Sequence, residues 1–190
     1  MPTTLRFTTA DVEALPDRLD DTRYELIEGE LSVAKQPHWN HQLIGFVLGA
    51  ALLDWSLRTG LGVANIAPGL IFSAEDNVAP DVVWISQTRL TQGLGDDGKL
   101  RVAPELVVEV LSPGATNERR DREAKLKLYA LRGAEEYWIV DWRARTVEVY
   151  RRAGDLLQPA RTLTDADTLT SPLLPGFSYP VGDLWRLARR

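Results

Sequence analysis

Glu109 stands in the run Pro104 to Ser112, Pro-Glu-Leu-Val-Val-Glu-Val-Leu-Ser, whose valines and leucines read as a buried strand. Taking a carboxylate out of water is costly, so a chain keeps one there when a cation, a metal ion or a set of donors compensates it. A second acid, Asp81, follows Pro80 and opens the apolar run Val82 to Ile85. If the two runs pair antiparallel with Ser86 opposite Glu105, Asp81 falls opposite Val110 and beside Glu109. A slip of one residue would send one side chain to the other face. Two close carboxylates repel unless one is protonated or a cation lies between them. All-oxygen ligation suits Mg²⁺ or Mn²⁺ rather than zinc, with water and a substrate phosphate completing the octahedron and the Val110 carbonyl as a further ligand. The competing reading is that Asp81 caps a turn after proline and Glu109 pairs with an arginine. The residues alone leave both open.

A third group comes from the segment Asn117 to Tyr129, which passes from a basic cluster into a helix. At helical spacing Lys125 falls between Leu128 and Tyr129, and Lys127 between Ala130 and Leu131. Either stem can run along packed surface with its ammonium at the edge, so periodicity does not choose between them. Either can equally be a solvated lysine on a charged face. Arg119, Arg120 and Arg122, at the mouth of the same helix, can grip phosphates bidentately or form an ordinary solvated charge run. Of the six tryptophans, Trp55, Trp84 and Trp138 fit the core and Trp185 the tail, which leaves Trp39 and Trp142, each beside a turn, as candidates for exposure.

The elements that must position these groups follow from pattern. Thr9 is a candidate N-cap for a short helix with acids in its first turn. Tyr24 to Ile27 and Leu31 to Val33 flank Glu28-Gly29 as a hairpin. Leu43, Ile44, Val47, Leu48, Ala51, Leu52 and Trp55 recur at three and four, which makes Asn40 to Thr59 an amphipathic helix ended by Gly60. Val63 to Ile66, Leu70 to Phe72 and Val82 to Ile85 read as short strands punctuated by Pro68-Gly69 and Asp76-Asn77, and Gln87 to Arg101 as a polar loop. Asp121 to Arg132 is a helix closed by Gly133, followed by strands at Tyr137 to Asp141 and Thr146 to Arg151. The tail from Asp155 packs as strands and a last short helix.

Composition sets the outer limits. A chain of 190 residues, with 44% apolar and 26% charged residues, suits one soluble domain spanning 1–190, and there is no repeat or long charge-free apolar run. Without cysteine there are no disulfides and no thiolate metal sites. Met1 to Leu15 has no signal-peptide core, so a cytoplasmic location without membrane contact is the expectation. A net charge of −5 argues against strong general affinity for nucleic acid but leaves room for a local basic patch.

The ordered series Tyr24-Glu25-Leu26-Ile27-Glu28-Gly29-Glu30, His41, Pro80-Asp81, Val108-Glu109-Val110-Leu111-Ser112-Pro113, Lys125 with Tyr129 and Gly133, and Glu136-Tyr137-Trp138-Ile139-Val140-Asp141 resembles the Uma-two restriction-endonuclease family. That family lies within the PD-(D/E)XK nuclease superfamily, and the match runs from about Tyr24 to Tyr150, most of the chain. The resemblance implies an α/β fold with a restriction-endonuclease-like core: a mixed central β-sheet flanked by helices, the Asn40 helix on one side and the Asp121 helix on the other. It makes Asp81 and Glu109 the ligands of Mg²⁺ or Mn²⁺. It makes Lys125, rather than Lys127, the active-site lysine. In the parent motif this lysine follows the second acid by two positions, where the chain has Leu111. Glu25 resembles the family's additional acid and His41 its histidine at the start of the long helix, whereas Glu28 departs from a frequent aspartate. An exposed hairpin acid and a solvent-facing histidine are the alternatives for Glu25 and His41.

The reaction implied is metal-assisted hydrolysis of a phosphodiester in nucleic acid, with DNA the expected substrate and a homodimer the expected assembly, because one site per chain cuts both strands only as a pair. Two other readings remain at this point. One is a nuclease-like binding module without catalysis, in a mobile-element or defence context. The other is a structural dimer in which Glu109 and Lys125 form a buried ion pair without metal.

Overall fold

Three runs, at 82–86, 106–110 and 136–141, are buried almost throughout rather than at alternate residues. That is the pattern of strands covered on both faces, and they form the centre of the sheet. The computed structural model describes residues 5–15, 23–34 and 36–188, so the first four positions of the Met1 to Leu15 stretch lie outside the described residues. In chain order the elements are α1 (Thr9–Glu13), β1 (Arg23–Ile27), β2 (Glu30–Ala34), α2 (Trp39–Thr59), β3 (Gly62–Ile66), β4 (Leu70–Ser73), β5 (Asp76–Val78), β6 (Val82–Ser86), α3 (Gln87–Gly93) and β7 (Leu106–Val110). One helical stretch follows, made of α4 (Ala115–Arg119), a π-helical turn (Arg120–Lys125) and α5 (Leu126–Arg132). Then come β8 (Glu136–Asp141), β9 (Thr146–Ala153), β10 (Leu156–Leu163), β11 (Thr168–Leu169), β12 (Tyr179–Pro180) and a closing 3-10 turn (Val181–Trp185).

The central sheet has six strands in the order β10-β9-β8-β7-β6-β3. Its pairs are antiparallel except β7 with β8, which are parallel. A parallel pair needs a crossover, and the α4 to α5 stretch supplies it. On one face Ile44, Leu48, Leu52 and Trp55 of α2 pack with Val82, Trp84, Val108 and Trp138. On the other, Leu128, Tyr129 and Ala130 of α5 pack with Val107, Tyr137 and Ile139. The mixed sheet with a helix on each side is the α/β arrangement expected. A smaller sheet, ordered β2-β1-β5-β4, carries the N-terminal hairpin. Glu28 and Gly29 both adopt positive φ there, as a tight two-residue turn requires.

Several expectations need correction. Thr8, not Thr9, caps α1, and it shares a capping box with Asp11. Asp76-Asn77 is no mere punctuation: it lies in β5, which pairs with both β1 and β4. The glycine-rich stretch after Gln87 contains α3, because the Ser86 side chain accepts from the Arg89 N–H and caps a helix there. The register of β6 with β7 differs as well. Val82 faces Val108 and Trp84 faces Leu106, one residue away from the alignment assumed. Ser86 binds the Glu105 carboxylate through its N–H at 3.0 Å and through its hydroxyl at 2.6 Å rather than pairing with that residue's backbone. The helix expected from Asp121 begins at Ala115. Its end is as expected, with Gly133 in the left-handed region at φ 93°.

Candidate active site

The β6 and β7 strands bring Asp81 and Glu109 to one end of the sheet. Asp81 precedes the first residue of β6, its carbonyl accepts from the Ala67 N–H at 3.1 Å, and its Oδ2 accepts from the Val110 N–H at 2.8 Å. Continuing the observed register, in which Val82 faces Val108, sets Asp81 across from Glu109, so the slip from the assumed alignment puts the two acids on one face. Both line a cleft with Glu25, His41, Val110, Ser112, Arg120, Asp121 and Lys125, and with Arg23 at its rim.

The two lysines lie in different surroundings, Lys125 among the acids of the cleft and Lys127 outside them. Lys125 is buried, and its Nζ lies 2.9 Å from Glu109 Oε1, 3.1 Å from Glu25 Oε1 and 3.8 Å from Asp121 Oδ1. Lys127 is exposed and pairs with Glu28 at 2.8 Å, away from the acids. Lys125 closes the π-helical turn. Its wider i→i+5 bonding places Arg120, Asp121 and Lys125 around one cleft before the helix resumes α geometry. One turn further on, the Tyr129 hydroxyl donates to Glu109 Oε1 at 2.9 Å. Glu109 is therefore compensated by a lysine and a tyrosine, not by an arginine.

Glu25 is a buried acid of β1, not an exposed hairpin residue. Its Oε1 accepts from the Ala79 N–H at 3.0 Å, and its Oε2 is 3.6 Å from Arg120 Nη2. Arg120 also donates to the Ser32 hydroxyl, and Ser32 faces Glu25 across the β1–β2 pair. His41 is buried in the first turn of α2, with Nε2 3.2 Å from Asp81 Oδ2. His38 caps that helix by accepting from the Asn40 N–H at 3.1 Å, and its ring stacks on Trp142 at 4.8 Å.

The three arginines divide. Arg120 points into the cleft, and Arg119 is exposed along a neighbouring groove that it shares with Arg120 and Ser32. Arg122 goes elsewhere, to Glu148 at 2.6 Å, Glu118 at 3.4 Å and Asp141 at 3.9 Å. Trp55, Trp84, Trp138 and Trp185 are buried and Trp39 is exposed, while Trp142 is half-buried and donates to the Leu111 carbonyl at 3.2 Å.

Electrostatics follow from this crowding. Burial pushes the Glu109 carboxyl well above its usual range; the Lys125 ammonium opposes the rise and the nearby Asp81, Asp121 and Glu25 add to it. Burial likewise raises Asp121 against the pull of Lys125 and Arg120. For Asp81, burial is outweighed by His41, Lys125 and the Val110 N–H, which hold its carboxyl below the usual value. Lys125 loses stabilisation of its charge to burial, but Glu109, Glu25 and Asp121 more than restore it and its pKa is raised. It is thus an ammonium at neutral pH.

Sequence reasoning missed Asp121 as a member of the cluster, along with the Tyr129 hydroxyl. The signal was present. Asp121, Lys125 and Tyr129 follow one another at steps of four, which places them on one helical face.

The donor set matches a hard divalent cation. Four carboxylates line the cleft, and the buried Asp121 Oδ1 has no hydrogen-bond partner among the described residues. Among those residues no three histidine, cysteine or acidic side chains are gathered as a metal cage. The match is therefore to an ion held by one or two carboxylates and completed by water and substrate oxygen.

Comparison with known proteins bears on the family and the fold. A family model, Uma2, described as "Putative restriction endonuclease", matches residues 9–182. A crystal structure described as a putative nuclease belonging to DUF820, from Anabaena variabilis, superposes with a TM-score of 0.74 at 18% identity, covering 95% of this chain and 98% of that one. At that identity the likeness is one of fold. The type IIG restriction endonuclease BpuSI aligns with a TM-score of 0.41 at 14% identity over 80% of this chain and 16% of its own, too low a score to carry an argument. No curated protein matches the chain.

Proposed function

The chain belongs to the Uma2 family of restriction-endonuclease-like nucleases, and from that premise we propose that it is a single-domain, divalent-metal-dependent endonuclease that hydrolyses phosphodiester bonds of DNA in the cytoplasm. One observation carries the reading: Asp81 and Glu109, from neighbouring strands, share a cleft with a buried lysine that reaches Glu109 at 2.9 Å.

Asp81 and Glu109, with the Val110 carbonyl, are the groups that would hold Mg²⁺ or Mn²⁺, which when bound polarises the scissile phosphate and makes a water more acidic. Lys125, held as an ammonium by Glu109 and Glu25, cannot serve as the general base. Its role is to meet the negative charge that develops on the phosphate oxygens. Tyr129 fixes Glu109 by hydrogen bonding to Oε1. His41, against Asp81 Oδ2, orients that carboxylate and stands where a flanking phosphate would pass. Glu25 anchors both Lys125 and Arg120. Arg120 and the exposed Arg119 are the cations placed to grip neighbouring phosphates. Arg122 is committed to Glu118, Asp141 and Glu148 and takes no part.

The test is nicking of supercoiled plasmid DNA. The parent protein is expected to nick with Mg²⁺ or Mn²⁺ and to stop with chelator. Asp81→Ala and Lys125→Ala should each lower the rate about 100-fold or more. Cleavage that persists in both variants would remove these roles. The Lys125–Glu109 contact also suits a purely structural ion pair, and a parent protein that nicks with neither metal would favour that reading.

A further inference from the structure

The 21-residue α2 is apolar on two opposite sides. Ile44, Leu48, Leu52 and Trp55 face the sheet. Directly across the helix run Trp39, Leu43, Phe46, Ala50, Leu53 and Leu57, spaced by four, three, four, three and four residues. At the helical repeat these six lie within about 40° of one line. Trp39 is 69% exposed, Phe46 64% and Leu57 78%, and Leu53 and Ala50 are exposed as well. Apart from histidine, the only charged residues on α2 are Asp54 and Arg58, which pair with each other at 2.9 Å. A helix apolar on both sides is normally buried on both.

The spacing reads the same in either direction. A two-fold axis through the middle of the helix therefore sets Trp39 against Leu57 of a second copy, Leu43 against Leu53, and the large Phe46 against the small Ala50, which are the layers of an antiparallel helix seam. Side-chain size favours this direction over a parallel one: parallel helices would set Phe46 against Phe46 and Ala50 against Ala50, whereas the antiparallel pair fits each large ring over a small residue. It also leaves the two Asp54 about 18 Å apart along the axis and the two Arg58 about 30 Å apart. Ile66, exposed at the sheet edge, stands beside Gly49 near the middle of α2, so the same axis brings both copies of Ile66 to one flank.

We propose that this stripe of α2 is the surface through which two copies of the chain pair, as an antiparallel helix seam about a two-fold axis. The proposal gives a surface to the homodimer expected from the sequence, and it rests on the nuclease reading above. Its test reads mass and cross-linking rather than cleavage, so either can fail alone.

Sedimentation equilibrium of the full chain at micromolar concentration should give twice the chain mass of 21.2 kDa. Phe46→Glu/Leu53→Glu should shift it to the chain mass while leaving the thermal melt cooperative. Because the chain has no cysteine, introduced thiols report cleanly. On mild oxidation Trp39→Cys/Leu57→Cys should form a linked dimer, whereas Leu57→Cys alone should not, its two copies being about 27 Å apart along the helix. A monomeric parent protein would assign the stripe to a different partner and overturn the proposal. So would a dimer that survives both glutamates, or efficient linkage of Leu57→Cys alone, which signals a parallel pair.

Discussion

Burial holds the Asp121 carboxyl above its ordinary range, and its Oδ1 accepts no hydrogen bond among the described residues. An acid with a raised folded pKa binds its proton more tightly in the native state, so its contribution to stability falls as pH rises above the ordinary value of 3.8. Asp121→Asn escapes that loss. Melted without metal, the variant should match the parent near pH 4 and exceed it at neutral pH, by about 2–4 °C for each kcal/mol recovered. The same change should weaken Mn²⁺ binding in a titration. A neutral-pH melting temperature below the parent's would show that its attraction to Lys125 and Arg120 outweighs its burial. At this scale much was legible from residue type: an acid in a valine run announced a compensated site, and Asp81 and Lys125 joined it. Periodicity did not separate Lys125 from Lys127, because both lie at the margins of the packed face. What separates them is the buried Glu25 on β1, a contact 100 residues distant in the chain.

Close approach between elements sets the frame that holds these groups. Gly62 opens β3 where an added Cβ would lie 2.3 Å from the Ile85 carbonyl oxygen and 2.7 Å from the Trp84 ring. Neither can yield without shifting β6, the strand that leads back to Asp81. Gly62→Ala is therefore expected to cost about 1–3 kcal/mol, read as a lower melting temperature. An unchanged melt would mean that β3 moves freely at the sheet edge. The long helix and the central strands were readable because their apolar spacing is unbroken. By contrast, α3 was hidden in a polar, glycine-bearing stretch, since its start depends on the side chain of Ser86, the last residue of β6, accepting from the Arg89 N–H. The π-helical turn was equally hidden. Its residues would also make an ordinary helix, and the extra residue in the turn becomes visible only where Asp121 and Lys125 meet Glu109 and Glu25.

Across the whole molecule, a net charge of −5 and a polyanionic substrate oppose each other, so any hold on nucleic acid has to be local. The acids of the cleft are part of that opposition, and in the proposed function a bound divalent cation would turn them from a repulsive surface for phosphate into an attractive one. Among the described residues no helix is long and apolar enough to cross a membrane. Strand order, the parallel β7–β8 step and the convergence of two helices and two sheets on one cleft are properties of the assembled fold; the resemblance anticipated the mixed sheet with a helix on each side, but neither the parallel step nor the second sheet. The central claim is that Asp81 and Glu109 share one divalent ion beside Lys125. Anomalous diffraction from crystals of the protein soaked in Mn²⁺ measures this directly. A single anomalous peak within coordination distance of both carboxylates, lost in Glu109→Ala crystals, is the predicted result. Well-soaked crystals with no peak in the cleft, or with a peak that ignores the Glu109→Ala change, would contradict the account.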